Sequence, residues 1–230
     1  MKKPYIKKIG KIGGFDVWYV DGKYIRENID EEFTNFSANY LFNFIPKNEF
    51  WIDCEFGKTK EWKYFTTFLL TRDKWIKRGK SILEARDHGT IAEKDKRNKS
   101  PIIKKFKKLD NSEIIIKIRR KLLKKYSNEK IKVYVADGFL VRSLFFIDFT
   151  EGGHDMIYHF IPPGEIWIDD ALSPKELEYV LLHEAHERRL MKKGFTYEKA
   201  HYRSSKIELY CRKNPGKVSK ILAKELEKQN

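Results

Sequence analysis

The chain repeats itself, so any fold it adopts has to be built twice. Val17-Trp18-Tyr19-Val20-Asp21-Gly22 returns 116 residues later as Val133-Tyr134-Val135-Ala136-Asp137-Gly138. At the same offset Arg26 meets Arg142, Phe33-Thr34 meets Phe149-Thr150, and Phe44-Ile45-Pro46 through Trp51-Ile52-Asp53 meets Phe160-Ile161-Pro162 through Trp167-Ile168-Asp169. One residue of slip then aligns Glu61, Tyr64, Gly79, Ala85 and Glu93 with Glu176, Tyr179, Gly194, Ala200 and Glu208. Self-similarity held in one register over such a length marks two copies of one structural unit.

Each copy reads in the same order. An aromatic and β-branched strand ends at Asp-Gly, a second strand region follows, a strand after a Pro turn ends in Trp-Ile-Asp, and two helical patterns complete the unit. This predicts an α+β fold of two tandem homologous units, each a small, mostly antiparallel sheet followed by a helical hairpin. The boundaries fall at 1–110 and 111–230. Pro101 and Pro215 open a short terminal helical pattern in each unit. Ser112 to Tyr126 is expected to lead into the second unit as an amphipathic basic helix, with Ser112 as N-cap and Ile114, Ile115, Ile118 and Leu122 as its apolar stripe. The Trp-Ile-Asp aromatics occur in both copies and are assigned to the core, and His159, alternating with Phe160 on a strand, is expected to be structural.

The copies differ in chemistry. The second unit carries Leu182-His183-Glu184-Ala185-His186-Glu187, and on a helix His183 and Glu187 stack on one face with His186 one turn from His183. Lys192-Lys193-Gly194 is a C-cap signal, and Thr196 starts a second helix carrying Tyr197, His201 and Glu208. Glu187 lies seven residues before Gly194 and His201 seven after it, so a hairpin there sets them level. The first copy has Phe68, Leu69, Thr71, Arg72 and Arg86 where the second has His183, Glu184, His186, Glu187 and His201, and Ala38 where it has His154. Side chains needed for folding would be expected in both copies, so this asymmetry points to one working site and one degenerate copy. The expected metal ligands are His183, Glu187 and His201, with Glu184 as general base. His186, His154, Glu208 and Tyr197 are further ligands or residues that orient the ligands.

A helix that presents His at i, a ligand at i+4 and Glu at i+1 is the arrangement of zincin metallopeptidases, where the metal activates water and the Glu takes its proton. Here the second ligand position is Glu187 instead of His, and carboxylate is an acceptable ligand beside imidazole. Taken with Gly152-Gly153-His154, the Ile-Pro-x-x-Glu-Ile-Trp-Ile-Asp strand, Tyr197, Ala200-His201 and Glu208, the second unit resembles a small family of uncharacterised zincin-like metal-binding proteins with an H-E-x-H-E helix. The resemblance runs from Val133 to Arg212 and more weakly through the first unit. It implies a strand followed by a metal-bearing helix and brings no substrate with it. The expected cofactor is one divalent ion, zinc first, because the donors are imidazole and carboxylate without thiolate. The expected activity is peptidase-like hydrolysis of a peptide or protein.

Charge supports an alternative. The formal net charge is +15, and sixteen Lys or Arg against four acids lie between Lys94 and Lys132. Within that segment Lys104, Lys105, Lys107 and Lys108, then Arg119, Arg120 and Lys121, then Lys124 and Lys125, are candidates for contact with nucleic acid or another polyanion. In that reading the protein binds or assembles through the basic segment and the metal is a structural staple. Cys54 and Cys211 are single and far apart, which argues against both a disulfide framework and a thiolate metal site. No apolar run long enough for a membrane span and no leader pattern occurs, so the expectation is a cytoplasmic protein without membrane contact.

Overall fold

The computed structural model describes residues 4–59 and 61–229. The chain divides into two compact units, one taking in the chain up to Asp110 together with Arg142–Ile147, the other Asn111–Val141 with the chain from Asp148 onward. The first unit runs β1 (Tyr5–Ile12), β2 (Phe15–Val20), α1 (Gly22–Asn28), β3 (Phe36–Ala38), β4 (Glu49–Asp53), α2 (Trp62–Ile76), α3 (Ile82–Asn98) and α4 (Pro101–Phe106). The second begins α5 (Asn111–Ile118), β5 (Arg119–Leu122), β6 (Lys132–Ala136) and α6 (Gly138–Leu144). It continues β7 (Gly152–His154), β8 (Glu165–Asp169), α7 (Leu177–Lys192), α8 (Tyr197–Lys213) and α9 (Val218–Glu227). α6 is divided, since its residues from Arg142 cluster with the first unit.

The architecture is α+β, with two four-stranded mixed sheets in the equivalent orders β1-β2-β4-β3 and β5-β6-β8-β7. In each, the outer pairings are antiparallel and the central one is parallel, with Trp18 opposite Trp51 and Tyr134 opposite Trp167. Both tryptophans on the last strand are buried, as are the β-branched residues around them. In the second unit Ile131, Val133, Ile166 and Ile168 of the sheet side meet Val180, Leu181, Leu182 and Ala185 of α7 and Leu222 and Leu226 of α9. Burial of these side chains against one another is the principal stabilisation of the unit.

Three expectations need correction. Asp-Gly does not turn the chain into another strand; it opens a helix. Asp21 accepts the Tyr24 N–H at 2.9 Å and Asp137 accepts that of Leu140 at 2.9 Å, so each Asp is an N-cap. The glycine is needed because a Cβ on Gly22 would lie 1.7 Å from Asp53 Oδ2, and one on Gly138 2.2 Å from Asp169 Oδ2. The helix carries the chain over so that the next long strand pairs in parallel, which a two-residue hairpin cannot do. The second correction concerns Ser112 to Tyr126. The helix begins at Asn111, which puts Ser112 inside it, and it ends at Ile118 with Ile114 and Ile118 buried. Arg119–Leu122 then pairs antiparallel with β6, with Leu122 opposite Tyr134. Closing an open sheet edge outweighs the helical spacing of the stripe.

The nine basic candidates are spread over both units. Lys104 and Lys105 lie on α4 with Lys107 and Lys108 just beyond it, all four exposed. In the second unit Arg119 is paired with Glu165, Arg120 with Asp137 and Lys125 with Glu178, while Lys121 and Lys124 are exposed. The third correction is His159, which sits exposed in a turn and not on a strand. No helix among the described residues is long and apolar enough to cross a membrane.

Candidate metal centre

α7 emerges from the core with Leu181, Leu182 and Ala185 fully buried and presents His183, Glu184 and Glu187 beside the edge strand β7. The helix stops where the sequence says it should. Gly194 has φ 86°, its N–H reaches Met191 O at 2.8 Å, and Phe195 N reaches Leu190 O at 3.2 Å, which is a glycine-terminated C-cap. Thr196 is the N-cap residue of α8. The returning helix sets His201 opposite Glu187.

Three donor atoms converge. His201 Nδ1 lies 2.8 Å from Glu187 Oε2, His183 Nε2 lies 3.1 Å from His201 Nδ1, and His183 Nε2 lies 3.5 Å from Glu187 Oε2. A tetrahedral zinc ion with bonds of 2.0–2.1 Å spaces its ligand atoms about 3.3 Å apart, so this triangle has the dimensions of three corners of such a site. The donors themselves, two imidazoles and a carboxylate, fit a borderline divalent ion.

Two of the donors, His183 and Glu187, are held from behind. His183 turns Nδ1 toward Glu208 Oε2 at 2.9 Å, and Glu208 also accepts from Arg212 Nε at 2.8 Å. Arg212 NH1 reaches Glu176 at 2.7 Å. The first unit repeats this framework as Arg97 bonded to Glu93 at 2.9 Å and Glu61 at 2.8 Å, so Glu208 belongs to the shared scaffold and takes on His183 only in the second copy. Burial opposes the charge on Glu208, but His183 and Arg212 outweigh it and hold the carboxyl down to about 2. Burial likewise opposes a charge on His183, yet the Glu187 and Glu208 carboxylates raise its pKa well above the usual imidazole value. Without an ion, a proton on His183 sits between the two acids.

His154 is buried on β7, with Nε2 3.1 Å from Glu187 Oε1. Its Nδ1 accepts the Met156 N–H at 3.3 Å, so the neutral ring carries its proton on Nε2 and donates to Glu187. In that tautomer His154 orients Glu187, and its ring also lies in a second group of potential ligand atoms with Glu184 and Glu187. His186 points elsewhere. Its Nδ1 lies 3.2 Å from Glu225 Oε2 on α9 and 3.2 Å from Arg189, away from the donor triangle. Tyr197 lines the cleft with its ring centroid 5.4 Å from that of His201.

Among the described residues, none bonds to Glu184. It lines a small cleft of about 70 Å³ with His183, Glu187 and His201. Its carboxylate comes within 4.8 Å of ligand atoms of Glu187 and His154, with no hydrogen bond or ion pair to any described residue. Burial first, then the neighbouring Glu187 carboxylate, push its pKa above the ordinary carboxylate range. Thr150, Gly152, Ile157 and Tyr158 complete the wall, and the spacing pattern alone does not reveal these four. Gly152 makes the space: a Cβ there would stand 3.2 Å from Glu184 Cγ and 3.1 Å from Val180 Cγ1.

The first unit fills the equivalent cleft. Phe36, in the place of Gly152, stacks on Phe65 at 4.3 Å and meets Phe68 edge-on at 5.7 Å. Phe68 replaces His183 and is accommodated by Gly89, where a Cβ would lie 3.0 Å from its ring. Arg72, in the place of Glu187, lies over Tyr40 at 5.4 Å. The scaffold therefore closes with an apolar plug when the polar residues are absent, and the cleft is not a requirement of the fold. Comparison with protein-family models, with curated proteins and with solved structures finds no match to this chain.

Proposed function

We propose that the second unit is a metal-dependent hydrolase of peptidase-like type, with a zinc ion held by His183, Glu187 and His201 and with a peptide or protein as substrate. The observation that carries this reading is Glu184, a carboxylate without a bonding partner among the described residues that lines an open cleft beside three converging donors. Three protein ligands with a position left free is the pattern of catalytic rather than structural zinc sites. A bound ion supplies Lewis acidity toward water and toward a substrate carbonyl. Glu184 accepts the proton of the attacking water and returns it to the leaving group, a role suited by a raised carboxyl pKa. Glu208 and His154 fix the orientation of His183 and Glu187, and Ile157 and Tyr158 wall the cleft. A staple would have no use for an unbonded carboxylate at an open position.

Elemental analysis of the purified protein should find about one divalent ion per chain, lost in His183→Ala/Glu187→Ala. Glu184→Gln should keep the ion, while cleavage of a mixed peptide library read by mass spectrometry falls by roughly two to four decades. Equal metal content in wild type and the double variant rejects the site; cleavage unchanged in Glu184→Gln rejects the mechanism.

A second reading rests on Lys104, Lys105, Lys107 and Lys108. They are exposed together at the end of the first unit and form no ion pair with a described carboxylate, as expected of a weak, sequence-independent contact with nucleic acid.

A further inference from the structure

A second set of donors stands beside the first. His154 Nε2, a carboxylate oxygen of Glu184 and one of Glu187 lie within 4.8 Å of one another. Glu187 belongs to both sets and offers each a different atom: Oε2 lies 2.8 Å from His201 Nδ1, while Oε1 lies 3.1 Å from His154 Nε2. One carboxylate thus faces two groups of ligand atoms, as it does where it joins two cations roughly 3.5–4 Å apart. His154 and Glu187 are buried and Glu184 lines the cleft, so an ion would enter from the cleft side.

The duplication shows that the fold does not need these side chains. His154 on β7 sits opposite Ile166 of β8, and in the same pairing of the first unit Ala38 on β3 sits opposite Phe50 of β4. Leu69 stands in the place of Glu184 and Arg72 in that of Glu187. The first unit therefore has no metal-binding donor at any of the three places, and its strand and helix form without them. Burying an imidazole and a carboxylate costs free energy that apolar side chains would not incur. The hydrogen bond between His154 and Glu187 offsets part of that cost and gives no role to Glu184, to which none of the described residues bonds.

We propose that His154, Glu184 and Glu187 Oε1 hold a second, weaker divalent transition-metal ion, joined to the first through Glu187, and that its binding takes Glu184 out of use as the base, so that excess metal inhibits. The inhibition rests on reading the cleft as a hydrolase site; the binding does not. One imidazole with two carboxylates suits zinc or manganese and sets the site apart from the all-oxygen sites of calcium and magnesium. Two features make it the weaker site. The shared carboxylate already carries the first ion, whose charge the second meets at short range. The ring must also move its single proton from Nε2 to Nδ1, which gives up the Met156 N–H at 3.3 Å. An ion on Glu184 occupies the lone pair that would accept the proton of the attacking water.

The test uses the full chain, freed of metal by a chelator and dialysed against zinc at a low and at a high free concentration, with bound metal read by elemental analysis. Wild type should hold about one ion per chain at the low concentration and about two at the high one. Glu184→Gln and His154→Ala, the latter placing the first unit's residue on β7, should each hold about one even at the high concentration. His183→Ala/His201→Ala should take up about one, and only at the high concentration. Cleavage of the peptide library by wild type should fall at least about tenfold between the two concentrations, and magnesium at the same level should not reproduce the fall. The zinc concentration for half inhibition should rise at least about tenfold in His154→Ala. Saturation of wild type at one ion, or a second ion that persists in either single variant, would overturn the proposal. Cleavage that rises with the second ion would overturn its inhibitory role. If metal-loaded wild type cleaves nothing at either concentration while a second ion binds and is lost in both single variants, the hydrolase reading fails and the second site stands. Cleavage indifferent to excess zinc, with one ion bound throughout, gives the reverse.

Discussion

At the residue scale, two of the three donors, His183 and Glu187, have their second atoms already engaged, by Glu208 and His154. Glu208 shows how this was assembled, since its counterpart Glu93 serves only the arginine framework of the first unit while Glu208 also receives His183. Replacing it with Gln keeps an acceptor for Arg212 but removes the charge that orients and polarises His183. Metal affinity of Glu208→Gln should fall roughly tenfold to a hundredfold with the fold intact, the usual cost of losing such a partner, as read by competition with a chelator. Unchanged affinity would place His183 outside the ligand set. Glu187 depends on neighbours in the same way: burial would raise its pKa, yet hydrogen bonds from His154, His183 and His201 hold it strongly down, so it stays an anion ready to ligate.

At the element scale, three features place the chemistry: the Gly194 cap that returns α8, the edge strand β7, and α9 packed on the other side of α7. Gly152 is a place where β7 lies close to Glu184 of α7. Gly152→Ala would push a methyl against Glu184 Cγ and Val180, each tighter than ordinary contact. Turnover should drop about tenfold or more, since small misplacements of a catalytic group are costly, while metal content stays at the wild-type level. Full activity in that variant would show that Glu184 does not need its present position. On the far side of α7, burial works against the Glu225 carboxylate, but His186 and Arg189 outweigh it and hold it down to about 2. A depressed folded-state pKa means that its contribution is present above the unfolded value of 4.5 and is lost as pH falls toward 2. Acid unfolding followed by circular dichroism should therefore steepen below pH 4.5, and Glu225→Gln should flatten that limb while lowering stability near neutrality.

At the scale of the whole molecule, the duplication separates what holds the fold from what acts. Among the described residues the arginine–glutamate framework, the Trp-bearing strands and the glycine caps occur twice, and the converging donors and their cleft occur once. The excess positive charge is less concentrated than its position in the chain suggests, because Arg119, Arg120 and Lys125 are paired with carboxylates in the second unit. The four lysines near α4 are one exposed group of it without an ion pair to a described carboxylate. Neutralising them should abolish weak, salt-sensitive binding of duplex DNA, with the logarithmic salt slope falling by about one for each phosphate no longer neutralised, and should not alter metal content. Duplex binding that survives the substitution would locate the polyanion surface elsewhere.

The sequence by itself determined the repeat, the α+β order, the boundaries of the helical hairpin and the apposition of Glu187 with His201. These follow from local rules: periodicity, Gly194 and Thr196 at the helix ends, and equal spacing on either side of the turn. Tertiary structure alone decided the rest. Asp-Gly is a turn signal in isolation and became a helix cap because Asp53 and Asp169 press against the glycine. Arg119–Leu122 left its helical pattern because β6 offered a strand partner. His183 and His186 lie one turn apart on α7, and only the packing of α8 on one side and α9 on the other sends the first to the donor triangle and the second to Glu225. Local spacing sets which residues share a face, whereas the direction of that face depends on which partners bury the rest of the helix.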